Sequence, residues 1–154
     1  MKFYRKTMKG LLAFLCAFLS LGILSQYINI VINHSDSVPY KIFLNFTQQT
    51  PQTGDYTLIF NHFYQGNIIK RIIGKEGDFI TYDKDKILYV GHQKIGRIQS
   101  ETSFGKHLTP IENKRISKDF VFLYSPHEKS FDSRYQEVGL VHKKDLQGLL
   151  VPVI

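Results

Sequence analysis

Three short stretches of this sequence carry side chains whose types and spacing fit acyl-transfer chemistry. The first is Ser35-Asp36-Ser37-Val38-Pro39. A serine hydroxyl is a weak nucleophile until a base removes its proton. Pro39 fixes its own φ and pushes Val38 toward an extended backbone, which makes a rigid, non-helical loop around the two serines. The second stretch is Ile68-Ile69-Lys70-Arg71-Ile72-Ile73-Gly74. In a strand Lys70 shares a face with Ile68 and Ile72, and Arg71 shares the other with Ile69 and Ile73. A lysine buried among isoleucines loses solvation, its pKa falls, and a neutral amine becomes available as a general base. The third is Ser130-Phe131-Asp132-Ser133-Arg134-Tyr135, where Asp132 and Arg134 share one side of an extended segment and can pair. Each stretch alone also has a plain structural reading. Ser35 and Ser37 are common turn residues, Lys70 can reach water from an edge strand, and Asp132 with Arg134 can be an ordinary ion pair.

Other chemistries find less support. The six histidines show neither HxH nor HExxH spacing, so no metal site is expected. The parts of a Ser-His-Asp triad are present, but nothing in the spacing selects one histidine. Gly74 and Gly77 bracket a turn between strands, without the helix that would place amides on a phosphate. Cys16 is the single cysteine, which excludes an intramolecular disulfide framework and a multi-cysteine zinc site. No cofactor is expected.

The elements that must position these groups begin with an apolar run. Residues 10–33 contain no charged residue, and about 20 apolar residues suffice to cross a bilayer core as a helix. Lys2, Arg5, Lys6 and Lys9 precede the run and no acidic residue does, which places residues 1–9 on the cytoplasmic side. The run is long for a cleaved signal, and no clear Ala-x-Ala site follows it. Phe14-Leu15-Cys16-Ala17 is a poor match to a lipoprotein cleavage site. The expectation is an uncleaved transmembrane anchor over 10–33, with residues 34–154 extracytoplasmic.

Beyond the anchor, sixteen basic residues stand against thirteen acidic ones. That modest excess, with no long basic stripe, argues against a nucleic-acid partner. The pattern there is mainly β: strands are expected over 56–60, 67–73, 79–82, 87–90, 94–98, 119–124 and 149–154, and 99–118 reads as a long loop or insertion. The fold expected is a mostly antiparallel β domain behind one helix.

In this order, behind one anchor, the three stretches resemble the boxes of type I signal peptidases. The resemblance is strongest to the short conjugative-transfer (TraF-type) members. Ser35-Asp36-Ser37-Val38-Pro39 resembles the nucleophile box and 69–74 with Gly77-Asp78 the lysine box. Residues 130–135 resemble the Ser-x-Asp-Ser-Arg-Tyr box, and Val141 with Leu146-Gln147-Gly148 the closing stretch. The resemblance implies a Ser-Lys dyad, in which Ser37 attacks the scissile carbonyl and neutral Lys70 takes its proton. It implies that the Ser37 backbone N–H and the Ser35 hydroxyl serve the oxyanion, that Ser130 orients the lysine, and that Pro39, Asp132 and Arg134 support the site. A direct Ser37–Lys70 hydrogen bond is then expected, or a somewhat longer separation without substrate. Two departures from the family pattern are Glu76 in place of proline before Gly77-Asp78, and Gln136-Glu137-Val138 inserted before Gly139.

The function so implied is a serine endopeptidase in the bacterial inner membrane. It would remove signal peptides from exported precursors, a conjugative pilin precursor being one candidate. The partners are that precursor and membrane lipid; oligomeric state is left open. A self-cleaving Ser-Lys protease of the repressor type shares the dyad but lacks an anchor. The alternative from another class is a non-catalytic, membrane-tethered β domain acting as a scaffold in export or pilus assembly.

Overall fold

A computed structural model describes residues 2–62, 64–101, 105 and 107–154. The chain begins as helix α1, Lys2–Tyr27. Its stretch Gly10–Tyr27 has mean hydropathy 1.8 and is long and apolar enough to cross a membrane. The uncharged run continues to Asn33, but the helix does not. Ile28–Ile32 forms strand β1 instead, because β-branched Ile28, Ile30, Val31 and Ile32 suit a pleated backbone. The helix end is tied to the domain by Thr47. Its backbone N–H donates to the Tyr27 carbonyl at 3.0 Å, and its hydroxyl to the Gln26 carbonyl at 2.6 Å. These bonds satisfy carbonyls that a helix end leaves open.

The following strands are β2 (Ile42–Phe46), β3 (Tyr56–Asn61), β4 (Gly66–Gly74), β5 (Phe79–Tyr82), β6 (Leu88–Val90) and β7 (Gln93–Gly96). After them come β8 (Lys114–Arg115), β9 (Phe120–Tyr124), β10 (Val141–His142) and β11 (Leu149–Pro152). They form a seven-stranded sheet in the order β1-β2-β11-β3-β4-β9-β10 and a four-stranded sheet in the order β7-β6-β5-β8. Every pairing is antiparallel. The expected strands are present with shifted ends. The expected loop over 99–118 contains β8 near its end; positions 102–104 and 106 of that loop lie outside the described residues.

That loop does more than connect strands. It supplies Ile111 and Ile116 to the core of the small sheet, where they join Ile80, Leu88, Val90 and Phe122. The larger sheet packs Val38, Phe43, Leu58, Ile69 and Leu150 into one cluster, and Ile59, Ile72, Val121, Leu123 and Val141 into another. Glu76 does not disturb the turn before Gly77-Asp78, since the Asp78 carboxylate accepts from the Lys75 N–H at 2.9 Å. The insertion before Gly139 closes back on itself, with the Gly139 N–H on the Tyr135 carbonyl at 2.8 Å.

One face of β1, β2 and β11 is apolar from the helix onward. Ile28, Phe46 and Leu149 stand in one cross-strand row, and Ile30, Leu44 and Val151 in the next. Ile30 is 71% exposed, whereas Phe43 on the opposite face is fully buried. An apolar patch of this kind marks a surface that meets something other than water.

The two sheets meet at Gly74, the last residue of β4. A Cβ there would lie 2.6 Å from Val90 Cγ1 and 2.8 Å from both Ile116 Cδ1 and Phe122 Cβ. Gly74→Ala should therefore overpack the junction and lower the unfolding free energy by about 1–3 kcal/mol, measured by denaturant titration of the detergent-solubilised chain. Unchanged stability would mean that the sheets are not in tight contact at this point.

Candidate active site

The serine loop joins β1 to β2 and is closed at its neck by Asn33. The Asn33 backbone N–H donates to the Lys41 carbonyl at 2.8 Å, and its side-chain Nδ2 to the Tyr40 carbonyl at 2.8 Å and the Val38 carbonyl at 3.3 Å. Its Oδ1 accepts from the Ser35 N–H at 3.0 Å and the Ser35 hydroxyl at 2.9 Å. Val38 plugs into the core beneath the loop, while Pro39 is exposed. Ser37 is thus held between a buried anchor on one side and the Asn33 brace on the other. Asp36, between the serines, pairs with Lys41 at 3.0 Å on the solvent side.

Lys70 lies in the middle of β4 and is only 3% exposed. Lys70 and Ile72 are buried and Arg71 is exposed, but Ile69, expected on the face of Arg71, is buried as well, so both faces of β4 are largely covered. Arg71 turns to the opposite side, where its Nε donates to the Gly54 carbonyl at 2.6 Å. The Lys70 amine donates to the Ser130 hydroxyl at 2.7 Å and to the Ser125 hydroxyl at 3.2 Å. Burial lowers its pKa to about 8; the Asp132 carboxylate opposes that fall and the Arg134 cation adds to it. About a tenth of the amine is therefore neutral at pH 7, against a vanishing fraction for a lysine in water.

The loop between β9 and β10 carries the hydroxyls, and a buried ion pair shapes it. Arg134 Nε donates to Asp132 Oδ1 at 2.8 Å and Nη2 to Oδ2 at 3.0 Å, a two-point pairing. The same Nη2 also donates to the Ser130 carbonyl at 2.9 Å and the His127 carbonyl at 3.1 Å. Asp132 Oδ2 accepts from the Ser125 N–H at 3.1 Å. The pair thus ties down both ends of the segment from Ser125 to Ser130. Ser133 adds a further tie, its hydroxyl accepting from the Leu123 N–H at 3.0 Å.

Ser35, Ser37, Lys70 and Ser130 line one cleft of about 810 Å³, with apolar Leu58, Ile68, Ile69 and Phe131 along its wall. Asp132 and Arg134 lie beneath it, fully or almost fully buried. The direct Ser37–Lys70 hydrogen bond is not formed among the described residues; Ser37 Oγ lies 2.8 Å from Ser35 Oγ instead. With the Ser35 proton directed to Asn33, the Ser37 hydroxyl donates to Ser35. Among the described residues no three His, Cys, Asp or Glu side chains converge as a metal-binding group.

Sequence reasoning missed Asn33 and Ser125. Asn33 was absorbed into the end of the apolar run, although an asparagine just before a tight polar loop is a recognisable turn-former. Ser125 precedes a proline at the end of an apolar strand, and only the pairing of β9 with β4 reveals where it points. Asp132→Asn should lower stability by about 3–5 kcal/mol, since it leaves the buried Arg134 charge without its partner, with the loss read from denaturant unfolding. A loss under 1 kcal/mol would show that the pair does not organise this loop.

No curated protein matches the chain in sequence. In solved structures, a signal peptidase I from Enterococcus faecalis V583 resembles it with a TM-score of 0.44 and 21% identity, over 67% of this chain and 98% of that one. The family model for signal peptidases, peptidase S26, matches residues 5–154, from within the helix to the last residue. The serine loop, the lysine strand and the Asp132–Arg134 loop all fall inside that match, and the chain belongs to the signal peptidase family.

Proposed function

We propose that this protein is a membrane-anchored serine endopeptidase of the short conjugative-transfer type, which removes signal peptides from exported precursors by a Ser37–Lys70 dyad. The observation that carries the reading is the buried Lys70 amine on a cleft that also presents the hydroxyls of Ser35, Ser37 and Ser130. Ser37 Oγ, turned from Ser35 toward Lys70, attacks the carbonyl carbon of the scissile bond and gives its proton to the amine. The Ser37 N–H and the Ser35 hydroxyl, freed from Asn33, stabilise the oxyanion. The Lys70 ammonium then protonates the leaving amine as the C–N bond breaks, leaving an acyl-Ser37 ester. A water enters, loses a proton to Lys70 and attacks the ester. As the acyl–oxygen bond breaks, the Lys70 ammonium gives that proton to Ser37 Oγ, which restores the hydroxyl and the neutral amine and releases the carboxyl product.

The placement of the cleft supports a substrate that comes from the membrane. The helix passes straight into β1, and the apolar face of β1, β2 and β11 begins at the same point. Such a surface suits the interfacial region of a bilayer, with residues 1–9 cytoplasmic and the β domain outside. A conjugative pilin precursor is the candidate substrate.

The scaffold reading draws on the missing Ser37–Lys70 bond, but a scaffold gains nothing from a buried amine. The two are separated by co-expressing a precursor with each variant. Ser37→Ala, Lys70→Ala and Lys70→Arg should each abolish processing while the protein still accumulates, arginine being unable to act as a neutral base. Processing that survives in either lysine variant removes the dyad. Because the neutral amine is the base, activity should be low in acid and rise with pH toward a plateau above about 8. A profile flat across that range would contradict the role of Lys70.

A further inference from the structure

We propose that Ser125 is a second positioning residue for Lys70, acting with Ser130 to fix the direction of the amine lone pair; this rests on Lys70 being the base. A neutral amine nitrogen has four tetrahedral corners, occupied by Cε, two hydrogens and one lone pair. A single acceptor fixes one N–H and leaves the other hydrogen and the lone pair free to exchange places by rotation about the Cε–Nζ bond. Two acceptors fix both hydrogens, and the lone pair has one corner left. Ser130 at 2.7 Å and Ser125 at 3.2 Å are those two acceptors.

The two hydroxyls arrive on different supports. Ser130 comes from the loop, through the Arg134 bond to its carbonyl. Ser125 comes from the sheet: β4 pairs with β9 as Arg71 with Tyr124 and Ile72 with Leu123. One step further in that register sets Ser125 opposite Lys70 on the same face, and the Asp132 carboxylate holds its N–H. Ser125 is fully buried and does not line the cleft, whereas Lys70, Ser130 and Ser37 do. The corner left to the lone pair is therefore the one open to the cleft. Having no surface on the cleft, Ser125 acts through Lys70 and not on substrate.

Ser125 also accepts from the ammonium form, so its hydroxyl favours the charged state against burial. The other charged or titratable groups near Lys70 are Asp132 and Arg134 beneath it and His34, Asp36, Tyr64, His127 and Lys129 along the cleft. A Ser125→Ala substitution keeps all of them. The full chain in detergent would be assayed with an internally quenched peptide bearing an Ala-x-Ala cleavage site. Ser125→Ala should lower kcat roughly 10- to 100-fold, part of the gain expected from a placed general base. It should leave KM within about twofold and move the acid limb of the pH profile to lower pH. Ser125→Thr, which retains the hydroxyl, should recover most of the rate. If the alanine variant does not accumulate, Ser125→Cys, a weak acceptor of similar size, gives the same comparison. Parental kcat and an unmoved acid limb in the variant without the hydroxyl, with Ser37→Ala and Lys70→Ala inactive, would overturn the role of Ser125 and leave the dyad standing. Cleavage by Lys70→Ala would overturn both.

Discussion

The structure depends on keeping one amine out of water. Lys70 sits in the middle of the nine-residue strand β4, between β3 and β9 and therefore away from either edge of the sheet. With its pKa brought from 10.5 to about 8, carrying the charged form at neutral pH costs on the order of 3 kcal/mol. The penalty is present below pH 8 and fades as pH rises toward 10.5, where the unfolded chain also releases its proton. A domain keeps such a residue only if its surroundings hold it in place, and an active site is where such a cost is usually found.

Those surroundings are layered. The nearest layer is hydroxyl, from Ser130 and Ser125. Behind it lies the Asp132–Arg134 pair, which fixes the backbone at both serines. Across the cleft the serine loop is braced by Asn33 and anchored by Val38. Lys70 thus stands on a central strand, and Ser37 on a short loop that continues from the helix through β1. One sheet carries the amine, and the serine loop lines the same cleft.

Much of this was legible in the residues. The isoleucines around Lys70 allowed its burial but equally an edge position reaching water, and the structure takes the first. Two-residue spacing allowed the Asp132–Arg134 pair, which is formed. The strands with strong β-branched patterns appeared where expected. What was not legible depends on contacts distant in sequence. Residues 28–32 read as more of the apolar anchor, because an isoleucine-rich strand and a membrane helix look alike by hydropathy. β2 and β10 were missed, as was β8, two residues long and held only by β5. Leu108, Ile111 and Ile116 were hidden in a polar loop and proved to be core. Ser125 could not be seen without the register of β4 against β9, since nothing local distinguishes it from any serine before a proline.

The most direct test is a titration of the Lys70 amine itself in the folded, full-length protein. Selective 15N labelling of lysine side chains, with Lys70→Arg to assign the signal, follows the Nζ resonance across pH. A midpoint near 8 is expected from burial on β4. A midpoint at the 10.5 of a lysine in water would contradict the account, because the amine would then be solvated and its neutral form scarce at neutral pH.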